Sequence, residues 1–461
     1  DEFAYGTVTP QAIKDFLSYA YANWTPPAPQ YVLFLGTGNM DYKDRYGDLF
    51  GPAWSSINYV PTYLTYTQHM GETLTDEWFV RVSGDDAVPD LYIGRLPATS
   101  ATQAAVMVRK IIAYESAANT KTWEKNTLFI ADNQTEDYET VFETMNDDAA
   151  AFMPTAMNTP FKGYLGDYLV SSDLTNDIKA KVNEGALVVN YSGHGSIQIW
   201  AHEGIFRGND VPDLTNSAML PLVVSMSCLN GYFAYPAAWN FPSLADVLLR
   251  TEGKGAVAAF MPTGMTEPSG QHILDSALFD AFFTKDIRTL GPAVSQAKQT
   301  LLANGSNYEE VSATFLLFAD PAMVLKVPVP RRPTGLEAEV QAENISLSWQ
   351  GATDCNGAQV AGYNLYRSLT SGGTYSKLNA SLIAQTSYDD TLCDTGTTYY
   401  YVAKAVDADG DESVETQEVS ATLPTPASSG GGGGGGCFIG TAGGKVSWDR
   451  AKPRSENDGK S

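Results

Sequence analysis

Residues 1–328 alternate short apolar, β-branched runs with helix-period segments, and this alternation constrains the chain more than any other feature. Short apolar runs bounded by Gly and Pro read as strands buried on both faces. Strands separated by helices read as βαβ units around a mostly parallel sheet. The clearest runs are Tyr31-Val32-Leu33-Phe34-Leu35, Thr127-Leu128-Phe129-Ile130-Ala131, Ala186-Leu187-Val188-Val189-Asn190-Tyr191, Pro221-Leu222-Val223-Val224-Ser225-Met226 and Ala256-Val257-Ala258-Ala259-Phe260. Ser100-Ala101-Thr102-Gln103 supplies a capping box before one helix. Others are expected near 138–152, 243–250, 271–283 and 292–303. A break near 117–125 divides an N-terminal α/β part, residues 1–118, from a second, residues 119–328.

Pro328, Pro330 and Pro333 mark a linker around Arg331-Arg332. Past it the runs shorten and alternate, as in Ile345-Ser346-Leu347-Ser348-Trp349 and Tyr399-Tyr400-Tyr401-Val402-Ala403-Lys404-Ala405-Val406. Turn-rich segments separate them, which predicts an all-β, Ig-like sandwich over residues 333–423. With Trp349 and Gly362-Tyr363-Asn364-Leu365-Tyr366-Arg367 the module resembles fibronectin type III. Residues 424–461 carry the polyglycine run Gly430 to Gly436 and then Cys437, a composition that cannot bury a core and is expected to be a flexible tether.

A net charge of −24 over 461 residues argues against nucleic acid as a partner, since a phosphate backbone selects basic surfaces. No stretch approaches the roughly 18 consecutive apolar residues of a membrane helix. The first residues show neither the basic start nor the apolar core of a signal peptide. Four cysteines, Cys228, Cys355, Cys393 and Cys437, exclude a disulfide-dense scaffold. Four scattered histidines without HExxH or CxxC spacing exclude the usual zinc motifs.

Two of the buried-strand runs end in chemistry. The first breaks into Ser192-Gly193-His194-Gly195, and the second stops at Ser227-Cys228-Leu229-Asn230-Gly231. Open α/β sheets gather their sites beyond the carboxyl ends of strands. A lone Cys after a strand is more often a small core residue, but a thiol and an imidazole at two such ends can act as nucleophile and base. Gly195 lets a substrate approach the backbone closely. Its N–H and that of Cys228 would form a two-donor oxyanion hole.

Asn190-Tyr191-Ser192-Gly193-His194-Gly195-Ser196 with Ser227-Cys228-Leu229-Asn230-Gly231 resembles the gingipain family of caspase-like cysteine peptidases. Trp78-Phe79-Val80, Pro89-Asp90-Leu91-Tyr92-Ile93-Gly94-Arg95-Leu96-Pro97 and Phe318-Ala319-Asp320-Pro321 agree with the resemblance, which covers about residues 30–328. Ala319 stands where the family's closing segment has Gly. The resemblance implies Cys228 as nucleophile, His194 as general acid/base, and Asp132, after the strand 128–131, as the acid orienting His194. Arginine-cleaving gingipains carry a further Asp in the P1 pocket, which Asp137 matches, although a carboxylate at a helix start also suits the macrodipole. Trp200 matches an aromatic that walls the substrate cleft. The family requires no cofactor and allows calcium as a structural ion, for which Asp85, Asp86 and Asp90 are candidates without EF-hand spacing.

A Cys355–Cys393 bridge within the sandwich would imply an oxidising compartment. The expected protein is thus a secreted or cell-surface cysteine endopeptidase acting on proteins or peptides, with attachment through the tail. The rivals are a catalytically silent adhesin presenting the sandwich, and a thiol acyltransferase.

Overall fold

A computed structural model describes residues 2–41, 43, 57–234 and 242–425. The N-terminal helix Pro10–Asn23 starts where Thr9 caps Ala12 N–H and Pro10 occupies the first turn. β1 (Tyr31–Leu35) is followed by a hairpin of β2 (Tyr63–Thr67) and β3 (Gly71–Thr75), and β4 (Tyr92–Leu96) then pairs parallel with β1. Arg95 on β4 is fully buried. Its Nε and Nη2 meet both oxygens of Asp76 at 2.6 Å, and its Nη1 donates to Gly36 O and Val60 O. A bidentate buried pair with its remaining donors satisfied costs little to keep and several kcal/mol to break.

The capping box at Ser100 opens the helix Ala101–Ser116 as predicted, with Ser100 Oγ accepting from Gln103 N–H. The chain then lays down β5 (Thr127–Ala131), β6 (Phe161–Tyr164) and β7 (Val188–Ser192). A small antiparallel sheet of β8 (Gly195–Ser196), β9 (Ile199–Trp200) and β10 (Phe206–Arg207) follows. β11 (Leu222–Met226), β12 (Ala258–Pro262) and β13 (Phe315–Phe318) complete the main sheet. Its order is β13-β12-β11-β7-β5-β6, parallel except for the β12–β13 pair. Every residue of β5, β7, β11, β12 and β13 is buried, which is why these strands read as unbroken apolar runs. The helix Pro268–Phe283 packs against Val141–Ala151 and Leu290–Ala303, seating Phe279 on Phe129 of β5. Each such side chain contributes roughly 1.5–3 kcal/mol by leaving water.

Seven strands build the sandwich: β14 (Thr334–Val340), β15 (Ile345–Gln350), β16 (Gly362–Ser368), β17 (Ser376–Lys377), β18 (Ser387–Asp390), β19 (Thr398–Val406) and β20 (Val419–Thr422). They form sheets ordered β14-β15-β18 and β17-β16-β19-β20 around Leu347, Trp349, Leu365 and Tyr401. This is the Ig-like architecture expected of residues 333–423.

The proline linker is held rather than loose. Arg288 Nη1 donates to Val327 O (3.1 Å) and Val329 O (2.9 Å), and Nη2 to Pro330 O (2.7 Å), while Val327 and Val329 are buried. Lys121 reaches Asp407, Asp409 and Asp411 of the sandwich, and Lys125 pairs with Asp411 at 3.0 Å. Residues 1–423 accordingly form one compact unit.

The Cys355–Cys393 bridge does not form; both thiols are free. Strand register gives the reason. β15 and β18 run antiparallel with Ile345 opposite Asp390, so Cys393 follows the Ile345 end of β15 while Cys355 follows its Gln350 end. About five strand residues, roughly 17 Å, separate those ends, whereas a disulfide needs Cα atoms within about 7 Å. Cys437 and the polyglycine run lie outside the described residues.

Candidate active site

Register also places the chemistry. Ala131, Ser192 and Met226 stand level at the ends of β5, β7 and β11. Asp132 N–H continues the ladder to Ser192 O (3.0 Å) and Gly193 N–H to Met226 O (3.1 Å). Asp132, His194 and Cys228 therefore emerge side by side at one edge of the sheet. Gly195 lies over the Cys228 turn so closely that a Cβ there would sit 2.8 Å from Ser227 Cβ and 2.9 Å from Cys228 O. Only glycine fits.

Cys228 is partly buried, and its Sγ faces Thr266 O at 3.8 Å. Burial pushes the thiol up, so it rests protonated at neutral pH. The turn around it is braced from both sides. Ser225 Oγ and Ser227 Oγ both donate to Asn230 Oδ1, while Asn230 Nδ2 donates to Ser196 O and Ile199 O of the small sheet. Gln271 Nε2 and Thr266 Oγ1 donate to Ser227 O. Leu229, directly after the thiol, is held at φ +63°, a conformation that costs a branched residue on the order of 1 kcal/mol and that the surrounding bonds impose.

His194 is half exposed. Its Nε2 meets Glu139 Oε1 at 2.7 Å, and the Phe142 ring stands edge-on to the imidazole at 5.5 Å. Glu139 is almost wholly buried, and its Oε2 accepts Thr135 N–H, Thr135 Oγ1–H and Glu136 N–H. Burial by itself would raise this carboxyl, but the His194 bond and the three Thr135 and Glu136 donors outweigh it and hold it at about 2. Glu139 is thus a permanent anion behind the imidazole.

Asp132 does not orient the imidazole. Its Oδ2 accepts the His194 backbone N–H (3.0 Å) and its Oδ1 that of Asn133 (2.9 Å). A carboxylate leaving the strand one residue after Ala131 reaches the neighbouring main chain, not a ring projecting beyond it. Burial lifts Asp132 to about 6 despite those two bonds. Sequence reasoning missed Glu139. The signal present was an acid three residues after Glu136, the reciprocal capping pattern that opens the turn Asp137–Thr140.

Trp200 does not wall a cleft either. It is 1% exposed and stacks on Tyr191 with ring centroids 4.6 Å apart. Tyr191 Oη in turn donates to His194 O and accepts Ala201 N–H, so Trp200 supports the His194 turn from beneath. Strand alternation decides this, because β9 pairs with β10 and turns Trp200 into the core. Asp137 is exposed at the first position of the turn carrying Glu139, outside the groove beside His194. That open groove, about 450 Å³, is lined among others by Asp132, Thr135, Ser196, Ile199, His202 and Glu203.

Among the calcium candidates, Asp90 Oδ2 accepts Val82 and Ser83 N–H, and Asp86 Oδ1 accepts Val88 N–H. Asp407, Asp409 and Asp411 do converge, around the Lys121 ammonium. Among the described residues no helix is long and apolar enough to cross a membrane.

Comparison with known proteins places the chain in a family. A family model described as peptidase family C25 matches residues 1–326. Gingipain R2 of Porphyromonas gingivalis (strain ATCC BAA-308 / W83) is 24% identical over 369 residues, covering 73% of this chain and 46% of that protein. Lys-gingipain HG66 of Porphyromonas gingivalis is 26% identical over 196 residues, 40% of this chain and 10% of that protein. The chain thus spans less than half the length of these curated relatives. The crystal structure of the Arg specific cysteine proteinase gingipain R superposes with a TM-score of 0.56 at 19% identity, covering 92% of this chain and 89% of that one. This last likeness is one of fold.

Proposed function

Because this chain belongs to peptidase family C25, we propose that it is a cysteine endopeptidase working through Cys228 and His194. The observation that carries the reading is the level register of β7 and β11, which brings both residues to one sheet edge with Gly195 over the Cys228 turn. The resting thiol turns to Thr266 O, so the nucleophile is made when substrate arrives, and bonds loose before binding tighten in the complex.

With the ring in this orientation Nε2 is committed to Glu139, and Nδ1 handles the proton. Nδ1 takes the Cys228 proton as sulfur attacks the scissile carbonyl. The Gly195 and Cys228 N–H groups receive the oxyanion. The C–N bond then breaks, His194 returns the proton to the leaving amine, and a thioester remains on Cys228. Water, deprotonated by His194, attacks the thioester; the C–S bond breaks and the thiol is restored. Glu139 stabilises the imidazolium formed in both halves. On this reading the substrates are proteins or peptides met outside the cell, by a secreted or surface-held enzyme.

The test is Cys228→Ala against a mixed peptide library under reducing conditions. We expect hydrolysis to fall at least about 10³-fold with circular dichroism unchanged. Undiminished turnover by the folded variant would remove the assignment.

A further inference from the structure

Strand order gives the bound peptide a direction. Along the sheet edge the order β11, β7, β5 puts Cys228 on one side of His194 and Asp132 on the other, and the groove rimmed by Glu203 runs from Gly195 past His194 to Asp132. The acyl half of a cleaved peptide stays on Cys228. The amine half is protonated at His194 and must leave past it, toward the end of β5. Strands spaced about 4.8 Å make that path about 10 Å, the reach of roughly three extended residues.

The groove's chemistry is one-sided. Ile199 supplies apolar surface, Glu203 places an exposed carboxylate at the rim, and among the described residues no Lys or Arg lines the groove. An apolar side chain at Ile199 near the exposed Glu203 carboxylate suits an aliphatic stem carrying a cation. Resting on the peptidase reading, we infer that this groove receives the leaving-group side of the substrate and that Glu203 selects Lys or Arg within its first three residues.

The experiment digests a proteome-derived peptide library with the full chain and with Glu203→Gln and Glu203→Lys, using Cys228→Ala as blank. It runs at pH 8, above the ordinary imidazole range, and reads both sides of each cut by mass spectrometry. Preference is a ratio within each enzyme, so a general change in rate cancels. We expect Lys and Arg to exceed Asp and Glu about fivefold at the first three leaving-side positions, as for one partly screened ion pair. The ratio should shrink in 0.5 M salt, fall below about twofold in Glu203→Gln and invert in Glu203→Lys. Cleavage that depends on Cys228 yet shows no such ratio, or a ratio untouched in Glu203→Lys, overturns the inference alone. Cleavage that does not depend on Cys228 overturns the peptidase reading, and this inference with it.

Discussion

Glu139→Gln is expected to lower kcat about 10⁴-fold with little change in KM, the scale seen when the acid behind a catalytic imidazole loses its charge. The hydrogen-bond arithmetic leaves the amide no good orientation. Glu139 accepts four donors: His194 Nε2 on one oxygen, and Thr135 N–H, Thr135 Oγ1–H and Glu136 N–H on the other. An amide can present its oxygen to the three or to the one, and its NH₂ then confronts the donors left over. If it faces His194, the ring must take the wrong tautomer. If it faces Thr135 and Glu136, the turn opens and the imidazole loses its anchor.

A His194→Ala change should cost more, and adding Glu139→Gln to it should cost little further, because they act as one unit. Initial rates for the two single variants and the double would decide it; Glu139→Gln within threefold of wild type would break the link drawn between this acid and the ring. The carboxyl also carries a signature in stability. Its pKa is depressed in the fold, so its contribution is present above about pH 4.5 and lost as pH falls toward about 2.

Asp275→Asn is expected to stabilise the protein at alkaline pH. Asp275, on the helix Pro268–Phe283, is fully buried against β7, where its Oδ2 accepts Asn190 Nδ2–H at 2.8 Å while its Oδ1 has no partner. Asn190 Oδ1 is also unpartnered. Burial drives the carboxyl up to about 8, only partly offset by the Asn190 bond. The sign follows from the raised value. Its favourable contribution is complete below about pH 3.8 and disappears as pH rises through about 8, because the unfolded chain releases a proton that the fold retains. The penalty at pH 9 is on the order of 6 kcal/mol.

The amide is isosteric, accepts from Asn190 as before, and brings a donor where the carboxylate has none. Denaturant melts at pH 5 and pH 9 should show wild type losing stability and Asp275→Asn losing far less. Parallel pH curves for the two proteins would mean that Asp275 does not hold its proton. The network matters to the site. Asn190 Nδ2 also donates to Asn146 Oδ1 (3.0 Å), Asn146 Nδ2 to Ser192 Oγ (2.7 Å), and Ser192 Oγ to Phe142 O, directly beneath His194.

Much of this architecture was legible in local pattern. Burial on both faces forces a strand to be apolar along its length, so β5, β7, β11 and β12 stood out, and the residues breaking each run had to lie at the sheet edge. That argument reaches Cys228 and His194 without a structure, and the sandwich follows from alternation in the same way. Side-chain partners were another matter. Asp132 and Glu139 are both acids just past β5, and nothing in their spacing says which one meets the ring and which the main chain.

Trp200 carried the same ambiguity, since an aromatic six residues from a histidine can face a cleft or a core. Cys355 and Cys393 looked pairable until strand register set them at opposite ends of β15. The linear order therefore determined which residues stand at the mouth of the sheet, because periodicity and turn chemistry are properties of neighbours along the chain. Only the packed structure decided what each of them touches. Those contacts join segments tens to hundreds of residues apart, through turns whose geometry is settled by the burial and hydrogen bonding of the whole fold.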